Sequence, residues 1–355
     1  YATAFGNLSE ASGERSMALG SESTASNFGT IAMGHYSEAS GFGANAFGYD
    51  ATAGGDYATA FGNLSEASGE RSMALGSQST ASEFGTIAMG HYSEASGFGA
   101  NAIGFQAEAS GDYATAFGNY SEASGDRSMA LGSQSTAGNF ATMAMGHYSE
   151  ASGFGAMAFG YDSEASGDFA NAFGNYSEAS GTRSMAFGSS SEASGNRAVA
   201  FGHYSEATAN DAAAFGYNAS ARAANSVAIG ANSVANEANT VSVGSVGNER
   251  RISNVANGIY GTDAVNVNQL KSMRRKLEKY ASRGVVAALA MPPIYMPSEG
   301  KKMAFAAEAA TWEGEGAVGA AFVYRISKHV GVNVGASLPF SGEEPAFRGG
   351  VAIEW

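Results

Sequence analysis

A glycine returns every fourteen residues through roughly the first 245 residues of this chain. Gly6, Gly20, Gly34, Gly48 and Gly62 open the series, which runs in register through Gly216, Gly230 and Gly244. A small residue and an apolar one precede each glycine, as in Ala4-Phe5-Gly6, Ala18-Leu19-Gly20, Ala32-Met33-Gly34 and Ala228-Ile229-Gly230. The eighteenth copy is Ser242-Val243-Gly244. A short fixed period constrains architecture tightly, because every repeat must stack on its neighbours in the same way. Fourteen residues are too few for a helical hairpin but suit one coil of a β-solenoid.

Apolar residues alternate around a small one, as in Met17-Ala18-Leu19, Ile31-Ala32-Met33, Met73-Ala74-Leu75 and Val227-Ala228-Ile229. Period two is the strand signal. Half a coil later comes a second small-residue segment, Ser-Glu-Ala-Ser-Gly, at 9–13, 37–41, 65–69, 93–97, 121–125 and 177–181. Each copy therefore offers two short strands joined by glycine-bearing turns, where positive φ costs glycine little. At about 4.8 Å per coil, the head should be a rod of roughly 85 Å. Glycine and serine are abundant enough to suggest disorder, but 44% of residues are hydrophobic and the apolar ones are strictly placed, which argues against that reading.

The formal charge of −14 is unevenly spread. Residues 1–245 carry 23 acidic and 6 basic side chains, whereas 246–355 carry 10 acidic and 13 basic. An acidic head poor in cations makes no nucleic-acid binder, since phosphate contacts need Lys and Arg. With no cysteine, disulfides and thiolate metal sites are excluded. The chain opens inside a repeat at Tyr1 and reads as a mature or trimmed piece. No apolar run approaches the ~20 residues of a membrane helix.

Four coils form a superperiod of 56 residues: 57–77 repeat 1–21 without a change. His35, His91, His147 and His203 lie on it, each followed by tyrosine. Within one chain they stand about 19 Å apart, beyond shared coordination at about 2 Å, so they read as exposed turn residues and no metal is expected. Calcium-binding repeats need Gly-Gly-x-Gly-x-Asp, and Gly54-Gly55-Asp56 is only a fragment of it. The repeated glutamates form a column that converges on no pocket, which fits a solvated acidic stripe better than paired catalytic carboxylates. No catalytic set stands outside the periodic positions, so no enzyme and no cofactor are expected.

Near residue 246 the repeat stops. In the segment that follows, Thr262 or Asp263 can cap a helix. Leu270, Met273, Leu277, Tyr280, Gly284 and Ala287 then keep the three-four spacing of a coiled-coil seam. Fewer than four heptads are present. Pro292, Pro293 and Pro297 end the helix. Alternating segments follow at roughly 301–313, 315–327, 329–340 and 345–355. Val318, Ala320, Phe322, Tyr324 and Ile326 share one face of the second, while Gly319, Ala321 and Arg325 share the other. An apolar face out and a small or polar face in is the transmembrane β-barrel pattern. Four strands cannot close a barrel, but three chains supply twelve, and inward glycines leave room for three helices.

Ser-Val-Ala-Ile-Gly at 226–230, with its fourteen-residue spacing, resembles the head repeat of the YadA-like trimeric autotransporter adhesins. Gly247-Asn-Glu-Arg-Arg-Ile-Ser-Asn-Val-Ala-Asn-Gly258, with its Arg-x-Ile-x-Asn-Val-Ala segment, and Asp263-Ala-Val-Asn-Val-Asn-Gln-Leu270 resemble the family's neck, and the C-terminal strands ending in Trp355 resemble its anchor. The resemblance implies a left-handed parallel β-roll head (1–246), a neck (247–269), a short coiled coil (270–291) and a barrel anchor (292–355). It implies a homotrimer in the outer membrane of a Gram-negative bacterium, assembled by the barrel assembly machinery. The implied partners are collagen, fibronectin, laminin or host-cell receptors. Self-association in a biofilm is the alternative. The expected contact residues are the turn aromatics Tyr36, Tyr49, Tyr92, Tyr148, Tyr161 and Tyr204. In the neck, Arg250 and Arg251 are expected to clamp neighbouring chains.

Overall fold

In the computed structural model, which describes residues 1–293, 295–342 and 344–355, the chain forms two compact units, Tyr1–Arg250 and Arg251–Trp355. The first is a parallel β-solenoid. Three-residue strands such as Thr3–Phe5, Met17–Leu19 and Ile31–Met33 recur once per coil and make an eighteen-stranded sheet. Two-residue strands such as Glu10–Ala11 and Thr24–Ala25 make a second sheet of seventeen. Every pairing joins residue i to i+14: Met73 to Ile87, Ala74 to Ala88, Leu75 to Met89, Glu66 to Thr80. Backbone groups bond between coils, as where Gly20 N donates to Phe5 O at 2.9 Å and Glu10 N to Ser23 O at 2.8 Å.

Alanine fills the space between the two sheets. Ala18, Ala25, Ala32, Ala39 and their successors are wholly buried. A coil of fourteen residues is so flat that a Cβ from each side occupies its interior. Serines at the turns are buried too, and a buried hydroxyl needs a partner. Ser23 Oγ donates to Gly20 O at 3.0 Å, and Ser65 and Ser79 repeat the bond to Gly62 and Gly76 at 2.9 Å. The large apolar residues flanking each alanine face outward. Phe61, Phe117, Phe187 and Phe201 are about half exposed and belong to a stripe that follows the three-residue strands along the solenoid.

The periodic glycines are required by contact as well as conformation. Gly118 has φ +144°, and a Cβ there would lie 2.3 Å from the carbonyl oxygen of Gly132 in the next coil.

In the second unit, one helix (Val267–Leu289) packs on a four-stranded antiparallel meander, Met303–Trp312, Glu315–Arg325, Val330–Pro339 and Ala346–Ile353. The cap is Asn266, not Thr262 or Asp263. Its side chain accepts from Gln269 N at 3.0 Å, and Gln269 Oε1 accepts from Asn266 N at 3.3 Å, a reciprocal capping box. Asp263 instead accepts from the amides of Ile259 and Tyr260 at 2.8 and 2.9 Å, which hold its carboxyl below the usual range. The reason is the long neck loop: Asn266 also donates to Val255 O and Asn257 Oδ1, fixing the point at which the chain turns helical.

The sheet has the expected two faces. Val318, Phe322, Tyr324, Val332, Val334 and Leu338 are exposed, while Ala317, Gly319, Ala321, Gly331, Asn333, Gly335 and Ser337 are buried on the helix side. Val286, Ala290 and Ala317 form the small core beneath the helix. At Gly319 a Cβ would lie 2.1 Å from Ala290 O. No helix among the described residues is long and apolar enough to cross a membrane, which says nothing about crossing by strands.

Candidate adhesion surface

The solenoid's turns place the exposed aromatics. At both turns of each coil a residue adopts the left-handed conformation, which favours glycine and asparagine and is unusual for a bulky side chain. Asn218, Asn225, Asn232 and Asn239 supply the ordinary choice near the end of the head. Tyr36, Tyr92, Tyr148 and Tyr204 occupy the same conformation, with φ of 57–59°. Tyr49 and Tyr161 lie one residue before such positions, at Asp50 and Asp162. The same conformation is held elsewhere on the solenoid by Leu8, Arg15, Leu64, Arg71 and Gln78, so each turn tolerates a strained side chain of varied type.

These six tyrosines fall into four clusters on the 56-residue superperiod. His35 stacks on Tyr49 at 5.6 Å, and Tyr36 sits edge-on to His35 at 4.0 Å. The cluster recurs as His91, Tyr92 and Phe105, as His147, Tyr148, Tyr161 and Tyr176, and as His203, Tyr204 and Tyr217. Sequence reasoning missed the histidines as cluster members, together with Phe105, Tyr176 and Tyr217. The signal was available, since residues fourteen apart become neighbours across coils. A second turn column was also missed. Arg15 lies over Phe28 at 5.2 Å, Phe28 stacks on Phe42 at 5.2 Å, and Tyr57 completes the row at 5.4 Å. Arg71, Phe84, Phe98 and Tyr113 repeat it.

The Glu22 carboxylate, by its charge and a hydrogen bond, raises the pKa of the Tyr36 hydroxyl. The four solenoid histidines are not brought together, and no group of three or more His, Cys, Asp or Glu among the described residues is placed to hold a metal ion.

The glutamates form the expected column, with Glu94, Glu108 and Glu122 in direct register. Burial, and then the charges of Glu122 and Glu94, push the Glu108 carboxyl up. A raised carboxyl favours the folded state when protonated. Its contribution is present below the ordinary carboxylate pKa and is lost as pH rises through the raised value. Glu108→Gln is therefore expected to raise the melting temperature slightly at pH 7 and to give no gain near pH ~3; paired thermal melts check this. A gain of equal size at both pH values would exclude charge repulsion as its cause.

The Arg250 guanidinium closes the C-terminal end of the solenoid within its own chain. It donates to Val243 O and Ser233 Oγ, both at 2.9 Å, and to Ala231 O. Arg251 is exposed.

A repeating solenoid with exposed turn clusters, followed by a helix and a four-stranded sheet, defines a modular repeat protein. Comparison with family models places it further. The YadA head domain repeat matches residues 1–23, 39–65, 67–93, 95–121, 123–149, 151–177, 179–205, 207–233 and 221–245. The coiled stalk of trimeric autotransporter adhesin matches 251–287, and the YadA-like membrane anchor domain matches 296–355. The chain belongs to the YadA-like trimeric autotransporter adhesins. These are adhesin families, not enzyme families. Among solved structures, the collagen-binding domain of the Yersinia adhesin YadA is 26% identical, covering 54% of this chain and 83% of that one, with a TM-score of 0.26. A comparison with curated proteins gives no match.

Proposed function

We propose that this adhesin attaches a Gram-negative cell to host matrix proteins or host-cell receptors through the aromatic turn clusters of a trimeric head. The observation that carries the reading is the fourfold recurrence of one exposed aromatic cluster, each copy built around a tyrosine at a left-handed turn position. Repeated weak sites on three linked chains convert modest contacts into firm attachment. Family membership makes collagen, fibronectin and laminin the first partners to test.

Three features support trimer formation. Leu270, Met273, Leu277 and Tyr280 are 62–73% exposed, an apolar helix seam left uncovered by its own chain. On the sheet's inner face, the Asn333 side chain and Ser337 Oγ are buried without a hydrogen-bond partner among the described residues. The first and fourth strands also leave edges that lipid does not tolerate. Three copies would close a twelve-stranded barrel in the outer membrane, cover the seam and supply partners for these groups. Such a barrel would anchor the head and serve its export, with the barrel assembly machinery inserting it. Arg251, which is exposed, is the neck arginine we assign to an inter-chain clamp.

The test replaces Tyr36, Tyr92, Tyr148 and Tyr204 with asparagine, which tolerates the left-handed backbone, in the full chain displayed on cells. Attachment to the bound matrix protein is expected to fall by roughly tenfold or more as multivalency is lost, with surface display unchanged. Undiminished attachment sinks the assignment of these tyrosines. Cells that clump but bind no host protein would move the function to self-association.

A further inference from the structure

The anchor helix carries a cluster of cations of which Lys271, Arg275 and Lys276 make no ion pair among the described residues. Lys271, Arg274, Arg275, Lys276, Lys279 and Arg283 lie within thirteen residues, against one acid, Glu278. At 100° per residue Lys271, Arg275 and Lys279 fall opposite the Leu270, Met273, Leu277 and Tyr280 seam, while Arg283 flanks that arc and Arg274 and Lys276 border the seam. Lower on the helix, the side opposite the seam packs on the sheet through Ser282, Val286 and Ala290.

Contacts fix where the helix leaves the sheet. Ser282 Oγ donates to Glu313 Oε2 at 3.0 Å, Arg283 pairs with Glu315 at 3.2 Å and Lys279 with Glu315 at 3.6 Å. Glu313 and Glu315 flank the hairpin between the first two strands. Residues before Lys279 therefore extend past the sheet's rim, with Arg275 and Lys276 roughly 10–12 Å beyond Arg283. Glu278 is taken by Arg274 at 3.1 Å. Lys271, Arg275 and Lys276 are exposed and make no ion pair among the described residues. The other acid at this rim whose side chain is described is Glu344, which is exposed.

We propose that this cationic cluster binds the phosphate-bearing headgroups of the lipid leaflet from which the helix emerges. The proposal rests on the reading of the sheet as a membrane anchor. Clusters of four to eight Lys and Arg beside a membrane segment bind anionic lipid, at about 1 kcal/mol per cation. Arg275 and Lys276 lie about 5–6 Å past Lys279 along the helix, within the ~8 Å Debye length at physiological salt, and Lys271 lies about 12 Å past it. Three copies would make a continuous basic collar around the helices, orienting the stalk above the surface as well as holding it there.

The test uses the full chain reconstituted into phosphatidylcholine vesicles containing a minority of phosphatidylglycerol. Electron paramagnetic resonance reads the preference of spin-labelled phosphatidylglycerol over spin-labelled phosphatidylcholine at the protein surface. The wild type should prefer phosphatidylglycerol. Combining Lys271→Gln, Arg275→Gln and Lys276→Gln should bring that preference towards unity, by up to roughly fivefold per cation. The preference should also collapse as salt shrinks the screening length from about 10 Å at 0.1 M to about 3 Å at 1 M. Adding inorganic phosphate at constant ionic strength should leave it intact if headgroups are the ligand, and abolish it if free phosphate is. A preference unchanged in the triple variant overturns the proposal. If the triple variant does not insert, Arg275→Gln with Lys276→Gln and the salt series on the wild type decide by the same criterion. Failure of the wild type to insert sinks the anchor reading itself, whereas insertion without lipid preference sinks only this proposal. Salt-sensitive pairing of full chains through the acidic head, lost in the same variant and without any lipid preference, would replace lipid with a second copy.

Discussion

Gly118→Ala is expected to break the solenoid near its middle. A methyl group there would sit 2.3 Å from Gly132 O and 2.5 Å from Gly132 C, both backbone atoms of the next coil. Neither can move without breaking the ladder, because Gly132 N is already bonded to Phe117 O at 2.9 Å. The φ of +144° adds strain of its own for any L side chain. Backbone strain and overpacking together should cost about 3–5 kcal/mol per chain. Limited proteolysis of the full chain should therefore produce new cuts near residues 104–132, with a lowered melting temperature. Gly138→Ala is the control, since no atom lies within 4 Å of its added Cβ. Equal protease resistance in the two variants would show that coil spacing yields more readily than the geometry implies.

In the anchor the largest effect is expected at Gly319. A Cβ there would lie 2.1 Å from Ala290 O and 3.3 Å from Ala336 O, between the helix end and the neighbouring strand. Gly319→Ala must push the helix off the sheet or bend the second strand, at roughly 2–4 kcal/mol. The expected outcome is loss of heat-resistant oligomer and of head display at the cell surface. Gly349→Ala, whose nearest contact would be Asn333 O at 3.9 Å, should preserve both. Normal display and oligomer stability in the Gly319 variant would mean that the helix does not rest on this strand in the assembled protein.

Much of this architecture is legible in the sequence. Glycine spacing determined coil length, and like-with-like stacking follows because each fourteen-residue step returns the chain to the same point. The four anchor strands were readable within a few residues, since period two survives wherever one face meets apolar surroundings and the other a packed interior. The helix seam was readable from its three-four spacing. Its cap was not, because Thr262, Asp263 and Asn266 all suit the role locally. The neck loop, held by Asn266 to Val255 and Asn257, decided among them.

Which side of the solenoid strand points inward was a tertiary decision. In Met-Ala-Leu or Val-Ala-Phe, burial preference alone would send the large residues inside. The coil is too flat to hold them, so alanine takes the interior and the methionines, leucines and phenylalanines form an outer stripe. The aromatic clusters were likewise decided by stacking. Tyr36 and Tyr49 are thirteen residues apart in sequence, yet their rings lie 6.2 Å apart because one coil rests on the next. The sequence by itself determined the repeat, its turns and the order of head, neck, helix and anchor, because each depends on local period and backbone freedom. Only the tertiary structure decided the inside of the coil, the helix cap and the grouping of the surface aromatics, because each depends on the space that stacked chain segments leave one another.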